Sequence, residues 1–378
     1  MLFRSIRDFY SISGIFVDYL QAVFFYIFGL NWFSYIFHAA VINCLLCIIS
    51  FLLFNTLGLN KISSFTYSIG ISIIAYTSVG SPFVDYHGVI FSLFSVYLLI
   101  FFILKKKNIY LFFIPICLFF SFLSKQIPAG YIAIFLSLAL FIYFIKNFQL
   151  KNIFFFFSGC LVSLLFFIIY LFLLKINFSD FLIQYFFFPL SIGKARFEIL
   201  NINLLEIVIN FKLIFIIIFS LIFLNIKIFF KNKKEYRVKF LINNYIIITA
   251  LIFIYSQLLT KNQIFIFFLI PILMAFFHSY YFLIFRKKYF LYFLIFLTFF
   301  SVFKYHYRYN ENKYFMDFNK FEIENAIDGE KIDKIFYNLK WLTPFEYYKN
   351  SSKEAFLLKE TKDFIKDRKS TRLNSSHT

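Results

Sequence analysis

Charge is what this chain has least of. Asp, Glu, Lys and Arg make up 15% of its 378 residues, against roughly 25% in soluble domains. Hydrophobic residues reach 61%, and the mean hydropathy is +0.79. No soluble core can hide that much apolar surface, so the composition implies an all-α polytopic membrane protein. Cysteine is also scarce. The four cysteines (44, 47, 117, 160) all lie in apolar runs, which excludes a disulfide scaffold. Cys44 and Cys47 have CxxC spacing, but within a span and without a second ligand pair, so they read as small packing residues. Glycine is limited to 10 positions and proline to 6. No Walker A loop, HExxH, GxSxG or Rossmann fingerprint occurs, which speaks against nucleotide-driven transport by this chain alone and against a nucleotide cofactor.

The last twelve residues, Asp367 to Thr378 (DRKSTRLNSSHT), resemble the translation of a short-read sequencing adapter and are set aside as an artefact. Without them the formal net charge falls from +19 to +17, because three cations and one carboxylate are removed. That charge is expected to meet anionic lipid rather than nucleic acid.

What is abundant is aromatic and aliphatic, with 66 Phe and 27 Tyr. Ten apolar stretches read as membrane spans: 34–58, 62–80, 83–104, 108–124, 127–146, 152–174, 205–230, 239–260, 263–285 and 288–303. The stretch 12–31 is interrupted by Asp18 and Gln21. It reads as an interfacial helix in preference to an eleventh span. Basic residues set the sidedness. Fifteen Lys and Arg fall in one set of alternate loops (61, 105–107, 146–151, 227–239, 286–288), against five in the other set (125, 175, 194, 196, 261). The first set is expected in the cytoplasm of a bacterial cell, which makes this a multi-pass inner (plasma) membrane protein with its active face outward. The segment 1–33 is then outer and interfacial, 34–303 is the transmembrane domain, and 304–366 is a small outer soluble domain. That last segment carries eleven of the nineteen acids. The chain is expected to lack both a first helix ahead of Met1 and the end of the outer domain.

Acids are rarest where they matter most. Residues 1–303 hold seven: Asp8, Asp18, Asp85, Asp180, Glu198, Glu206 and Glu235. All except Glu235 fall on the outer side, which suggests a polar cavity opening outward or, for the loop acids, plain solvation. Asp85 lies in Ser81-Pro82-Phe83-Val84-Asp85-Tyr86-His87-Gly88, where Pro82 suits a first helical turn and Asp85 gains from the helix dipole. Asp85 and His87 are two apart, so a helix points them to different faces. As a joint metal pair they are weak, which leaves Asp85 as a lone metal candidate. Lys125 and Gln126 stand between two spans on the side poor in cations, where Lys125 could hold an anionic phosphate or snorkel to head groups. In the longest outer loop, 175–204, an aromatic half precedes Lys194, Arg196 and Glu198, which suits a surface segment meeting tails and phosphate.

In order and topology, residues 1–300 resemble the GT-C class of membrane glycosyltransferases, in the dolichyl-phosphate-mannose–protein mannosyltransferase-like group (family 39). Three matches carry the resemblance. Asp8 to Trp32, with Phe28-Gly29, is similar to that family's interfacial helix. Phe83 to Ser95 resembles its next external loop, where an Asp precedes a helix. Phe119 to Tyr131 resembles its Leu-Ser/Thr-Lys loop, with Lys125 at the Lys. The resemblance implies sugar transfer from a polyprenyl-phosphate donor to an envelope lipid, glycan or protein acceptor. It also implies Lys125, Gln126, Lys194 and Arg196 near the donor phosphate and Asp85 with His87 in support. Asp8 and Asp18 are further candidates, and a divalent metal ion is a candidate cofactor. The family's catalytic acid, an Asp-Glu or Asp-Asp pair after its first span, has no counterpart before Asp8, so it is expected upstream of Met1 and this chain alone is expected to be inactive. Competing readings are a transporter or lipid flippase, which should carry charges inside its spans, and a non-catalytic subunit of an envelope glycan assembly. Lys212 is the one interior cation seen.

Overall fold

In hydrocarbon every backbone N–H and C=O must be satisfied within the protein, so apolar runs of this length fold as helices. The computed structural model describes residues 12–77, 80–198, 204–230, 234–260, 266–285, 289–311, 326–341, 356–360 and 363. Asp8 lies outside them. The chain divides into a helical unit, Arg4–Asn310, and a second unit that includes Glu311–Thr378.

The helical unit runs α1 (Ile15–Phe28), α2 (Trp32–Thr56), α3 (Lys61–Thr77), α4 (Val84–Lys105), α5 (Ile109–Ser124), α6 (Gln126–Lys146) and α7 (Leu150–Leu174). It continues through α8 (Phe178–Leu182), a π-helical turn (Ile183–Phe187), α9 (Phe188–Glu198), α10 (Leu204–Asn210), α11 (Lys212–Phe229), α12 (Lys234–Thr260), α13 (Leu269–Phe285) and α14 (Tyr289–His306). Each of the ten apolar stretches carries helix. Among the described residues, five helices are long and apolar enough to cross a membrane: α2, α4, α6, α7 and the Tyr236–Thr260 part of α12. The chain is thus all-α in its apolar region, with the helices of a membrane protein.

One finding differs in detail from the sequence reading, and one is in keeping with it. The stretch 205–230 is two helices that meet at Phe211. The hydrogen-bond ladder carries on through that turn, with Phe211 N–H to Ile207 O at 3.0 Å and Phe215 N–H to Phe211 O at 3.0 Å. Lys212 opens α11 and its side chain is exposed. The first helix, α1, has 14 residues, about 21 Å at 1.5 Å per residue, shorter than a hydrocarbon core of about 30 Å.

The core is built around α4. Its apolar window is 83% buried, because α2, α5, α6 and α12 pack around it, whereas the window of α7 is 11% buried and only α5 covers it extensively. The reason lies in the side chains: α4 carries Gly88, Ser92 and Ser95 where neighbours come close. Ser92 Oγ and Ser121 Oγ lie 2.6 Å apart, and Ser121 Oγ donates to Gly88 O at 2.7 Å, which ties α4 to α5. On α2, Asn31 caps the helix by accepting from Ser34 N–H at 2.8 Å. The start of α1 is fixed by Gly14, at φ +84°, whose N–H donates to Ser124 O at 2.9 Å. A Cβ there would lie 2.5 Å from Val84 Cγ1, so Gly14 lets α1 lie against the start of α4. All four cysteines are free.

In the second unit, β1 (Ile327–Asp328) and β2 (Lys340–Trp341) pair antiparallel. Lys340 Nζ lies 2.7 Å from Asp328 Oδ1 and holds that carboxyl below the usual carboxylate range. Of the segment Trp341-Leu342-Thr343-Pro344, only Trp341 lies within the described residues.

Candidate functional site

The connection between α5 and α6 is a single residue, Lys125, in extended backbone (φ −153°, ψ 124°), with its N–H still bonded to Ser121 O at 2.8 Å. A one-residue corner leaves the side chain little choice of direction, and it reaches α4. Gly88 makes room for it: a Cβ there would stand 2.7 Å from Lys125 Cβ and 3.3 Å from Pro128 Cγ. Lys125 Nζ then lies 3.3 Å from Asp85 Oδ2, with the acid side chain 5% exposed and the lysine 20% exposed.

Asp85 sits in the first turn of α4, where the helix N-terminus favours its charge. Pro82, expected inside that turn, instead lies just ahead of it, because the helix begins at Val84 after the extended residue Phe83. As the spacing predicts, Asp85 and His87 face different neighbours. Asp85 meets Lys125, while His87 Nδ1 donates to Phe83 O at 2.9 Å and His87 Nε2 lies 3.1 Å from His38 Nε2.

On its other side Lys125 lines a cavity of about 800 Å³ that it shares with Gln126, Lys194, Tyr131, Tyr185 and Tyr255. The rest of the wall is mostly apolar, from α6, the π-helical turn, α9 and α12. Gln126 works as a clasp: its Nε2 donates to Ile12 O at 2.7 Å and to Tyr185 O at 3.0 Å. Both amide hydrogens are thereby engaged, so Gln126 joins the start of the chain, α6 and the π-helical turn. The Tyr185 hydroxyl lies 2.6 Å from Leu123 O and 3.0 Å from Phe122 O, which locks the same turn onto the end of α5. Lys194 is exposed on α9 at the cavity; Arg196 lies two residues further along α9, with its side chain outside the described residues.

Asp18 does not line this cavity, although its charge acts on Tyr185, which does; the protein atoms packed around Asp18 push its carboxyl up to about 6. No group of three or more His, Cys, Asp or Glu is placed to hold a metal among the described residues. Among the described residues, Asp85 pairs with Lys125.

Sequence reasoning missed His38, Gln21 and Tyr185. Nothing in the sequence marks a lone His in an apolar run, or a Tyr in a row of aromatics. Gln21 was visible only as an interruption of its apolar stretch. Their partners stand 17 to 63 residues away.

No protein-family model, curated protein or solved structure matches the chain.

Proposed function

We propose that this chain is a membrane glycosyltransferase that moves a sugar from a polyprenyl-phosphate donor to an envelope lipid, glycan or protein. The transfer takes place on the outer face of a bacterial inner membrane. The observation that carries the reading is the cavity of about 800 Å³ where Lys125 and Lys194 meet mostly apolar walls. A lipid-linked donor needs both properties at once, apolar surface for isoprenoid units and a cation for the phosphate.

In this reading all ten helical stretches span, α1 lies in the interface, and the lysine-rich loops face the cytoplasm. Lys125 is a point charge on the donor phosphate, stabilising it as it leaves the sugar carbon. Asp85 holds the Lys125 ammonium at 3.3 Å beside the cavity that Lys125 lines. Lys194 and Arg196, on α9, add charge at the lipid surface. Removal of the acceptor proton belongs to a carboxylate general base, a step typically contributing about 10²–10⁴-fold. Asp85, paired to a cation, supports that step and does not perform it.

The test is binding, which needs no turnover. In lipid nanodiscs, a polyprenyl phosphate should bind more tightly than the uncharged polyprenol of the same length. Lys125→Ala should weaken the phosphate form by about 10–100-fold, the worth of a hydrogen bond to a charged group, and leave the polyprenol unchanged. Equal binding of the two lipids, or a Lys125→Ala variant with full affinity, would sink the proposal.

A further inference from the structure

Three cations, none of which lines the cavity, gather where α11 begins and α14 ends. Four buried rings hold them there. Phe267, just ahead of α13, packs on Phe211 at the start of α11, with ring centres 5.9 Å apart. It also packs on Tyr305 at the end of α14 and on Tyr309 in a second π-helical turn (Tyr307–Glu311), at 4.3 and 5.6 Å. All four rings are buried, and Tyr305 and Tyr309 stack on each other at 6.1 Å and 10°. Three of them have a cation as chain neighbour: Lys212 follows Phe211, Lys304 precedes Tyr305 and Arg308 precedes Tyr309. The Lys304 ammonium lies 5.8 Å from the centre of the Tyr305 ring and the Arg308 guanidinium 5.4 Å from that of Tyr309, so the two heads stand by adjacent rings.

This gathering is unfavourable by itself. Burial, the Lys212 charge and the Arg308 charge all disfavour the Lys304 ammonium. Among the described residues neither Lys212 nor Lys304 is paired with a carboxylate. An anion placed among the three relieves that repulsion. The surface leading up to them says what carries the anion. Phe296, Phe300 and Lys304 recur every fourth residue along α14 and so share one ridge, and Arg308 follows four residues on. Phe296 and Phe300 are exposed, and beside them the exposed Phe303 and Tyr307 stack at 6.3 Å. On α11, exposed Ile216 stands one turn from exposed Lys212. Exposed apolar surface that ends in a cationic rim matches an amphipathic molecule with a negative head.

We propose that Lys212, Lys304 and Arg308 bind the phosphate of an anionic membrane lipid whose chains lie along Phe296 and Phe300. The guanidinium offers a fork for two phosphate oxygens, and the lysines add point charges. Phe268, next to Phe267, packs on Tyr86, the neighbour of Asp85, with ring centres 6.2 Å apart. The lipid site therefore shares one end of the bundle with the Asp85–Lys125 pair, and it does not rest on the transferase reading.

The experiment compares the whole chain in nanodiscs of phosphatidylcholine alone and of phosphatidylcholine with phosphatidylglycerol. The anionic lipid should raise the Tm, and one phosphatidylglycerol per chain should survive transfer into detergent, counted by native mass spectrometry. Lys304→Gln and Arg308→Gln should each weaken that retention about fivefold, the worth of one basic residue at an anionic lipid surface. Lys146→Gln combined with Lys151→Gln, exposed lysines where α6 meets α7, should leave it unchanged. In phosphatidylcholine alone, Lys304→Gln should raise the Tm because a repelled charge is gone, a readout that also shows the variant folded. Inorganic phosphate titrated into the micellar protein separates the two sources of the anion. A Tm rise from it equal to that from phosphatidylglycerol would overturn the lipid assignment. Retention indifferent to Lys212, Lys304 and Arg308 would overturn the proposal. Equal Tm values in the two nanodiscs would overturn it as well, the result expected if carboxylates after residue 310 already neutralise the cluster.

Discussion

At the residue scale, the 3.3 Å contact between Lys125 and Asp85 couples stability to the site. The acid is the more deeply buried partner, so removing the lysine leaves the costlier orphan. Lys125→Met should destabilise the protein by about 3–5 kcal/mol and Asp85→Asn by less, with the double variant recovering much of the loss. Unfolding of all three in micelles measures the coupling, and simple additivity would deny it. Asp18 predicts a pH effect of the opposite sense. Its carboxyl is raised to about 6 in the folded chain from an ordinary 3.8, so the folded state holds the proton more tightly. Stability from this group is full below pH 3.8 and is lost as pH rises through about 6. Asp18→Asn should therefore raise Tm at pH 7.5 and leave it nearly unchanged at pH 3.5. Asp85 and Lys125 could be singled out in the sequence because each breaks a rule, an acid at a span's start and a cation on the wrong side. His38 breaks no rule, and only its neighbour 49 residues on gives it meaning.

At the element scale, the α5–α7 contact rests on Gly159. A Cβ there would run into the Phe112 carbonyl oxygen and lie 2.8 Å from Pro115 Cγ, so two helix backbones touch at this point. Pro115 also withholds one N–H from the α5 ladder. Gly159→Ala should cost about 1–3 kcal/mol by forcing the helices apart. Gly130→Ala on α6, where a Cβ meets nothing within 4 Å, should instead gain up to about 1 kcal/mol. Thermal unfolding of the pair separates close packing from backbone entropy. Helix positions were legible because an apolar run in lipid has one way to satisfy its backbone. The turn at Phe211 was not read, although Asn210 and Lys212 interrupt the apolar run there, and neither was the one-residue corner at Lys125.

At the scale of the whole molecule, the fifteen-to-five split of basic residues between alternate loops makes a prediction about sidedness. In a cysteine-free background, Ser179→Cys, between α7 and the π-helical turn, should react with an impermeant maleimide on intact cells. Lys107→Cys, between α4 and α5, should react only after permeabilisation. Labelling of both from outside would contradict the orientation. By itself the sequence determined that this protein is helical and apolar enough for a membrane, and which few charged groups stand out from its spans. Those properties follow from composition and spacing, which act locally. Which groups meet was decided by the tertiary structure alone: Lys125 against Asp85 across Gly88, Gln126 clasping Ile12 and Tyr185, and His38 facing His87. Contacts across 17 to 114 residues depend on how helices rotate and cross, and a uniformly apolar helix carries no stripe from which that rotation can be read.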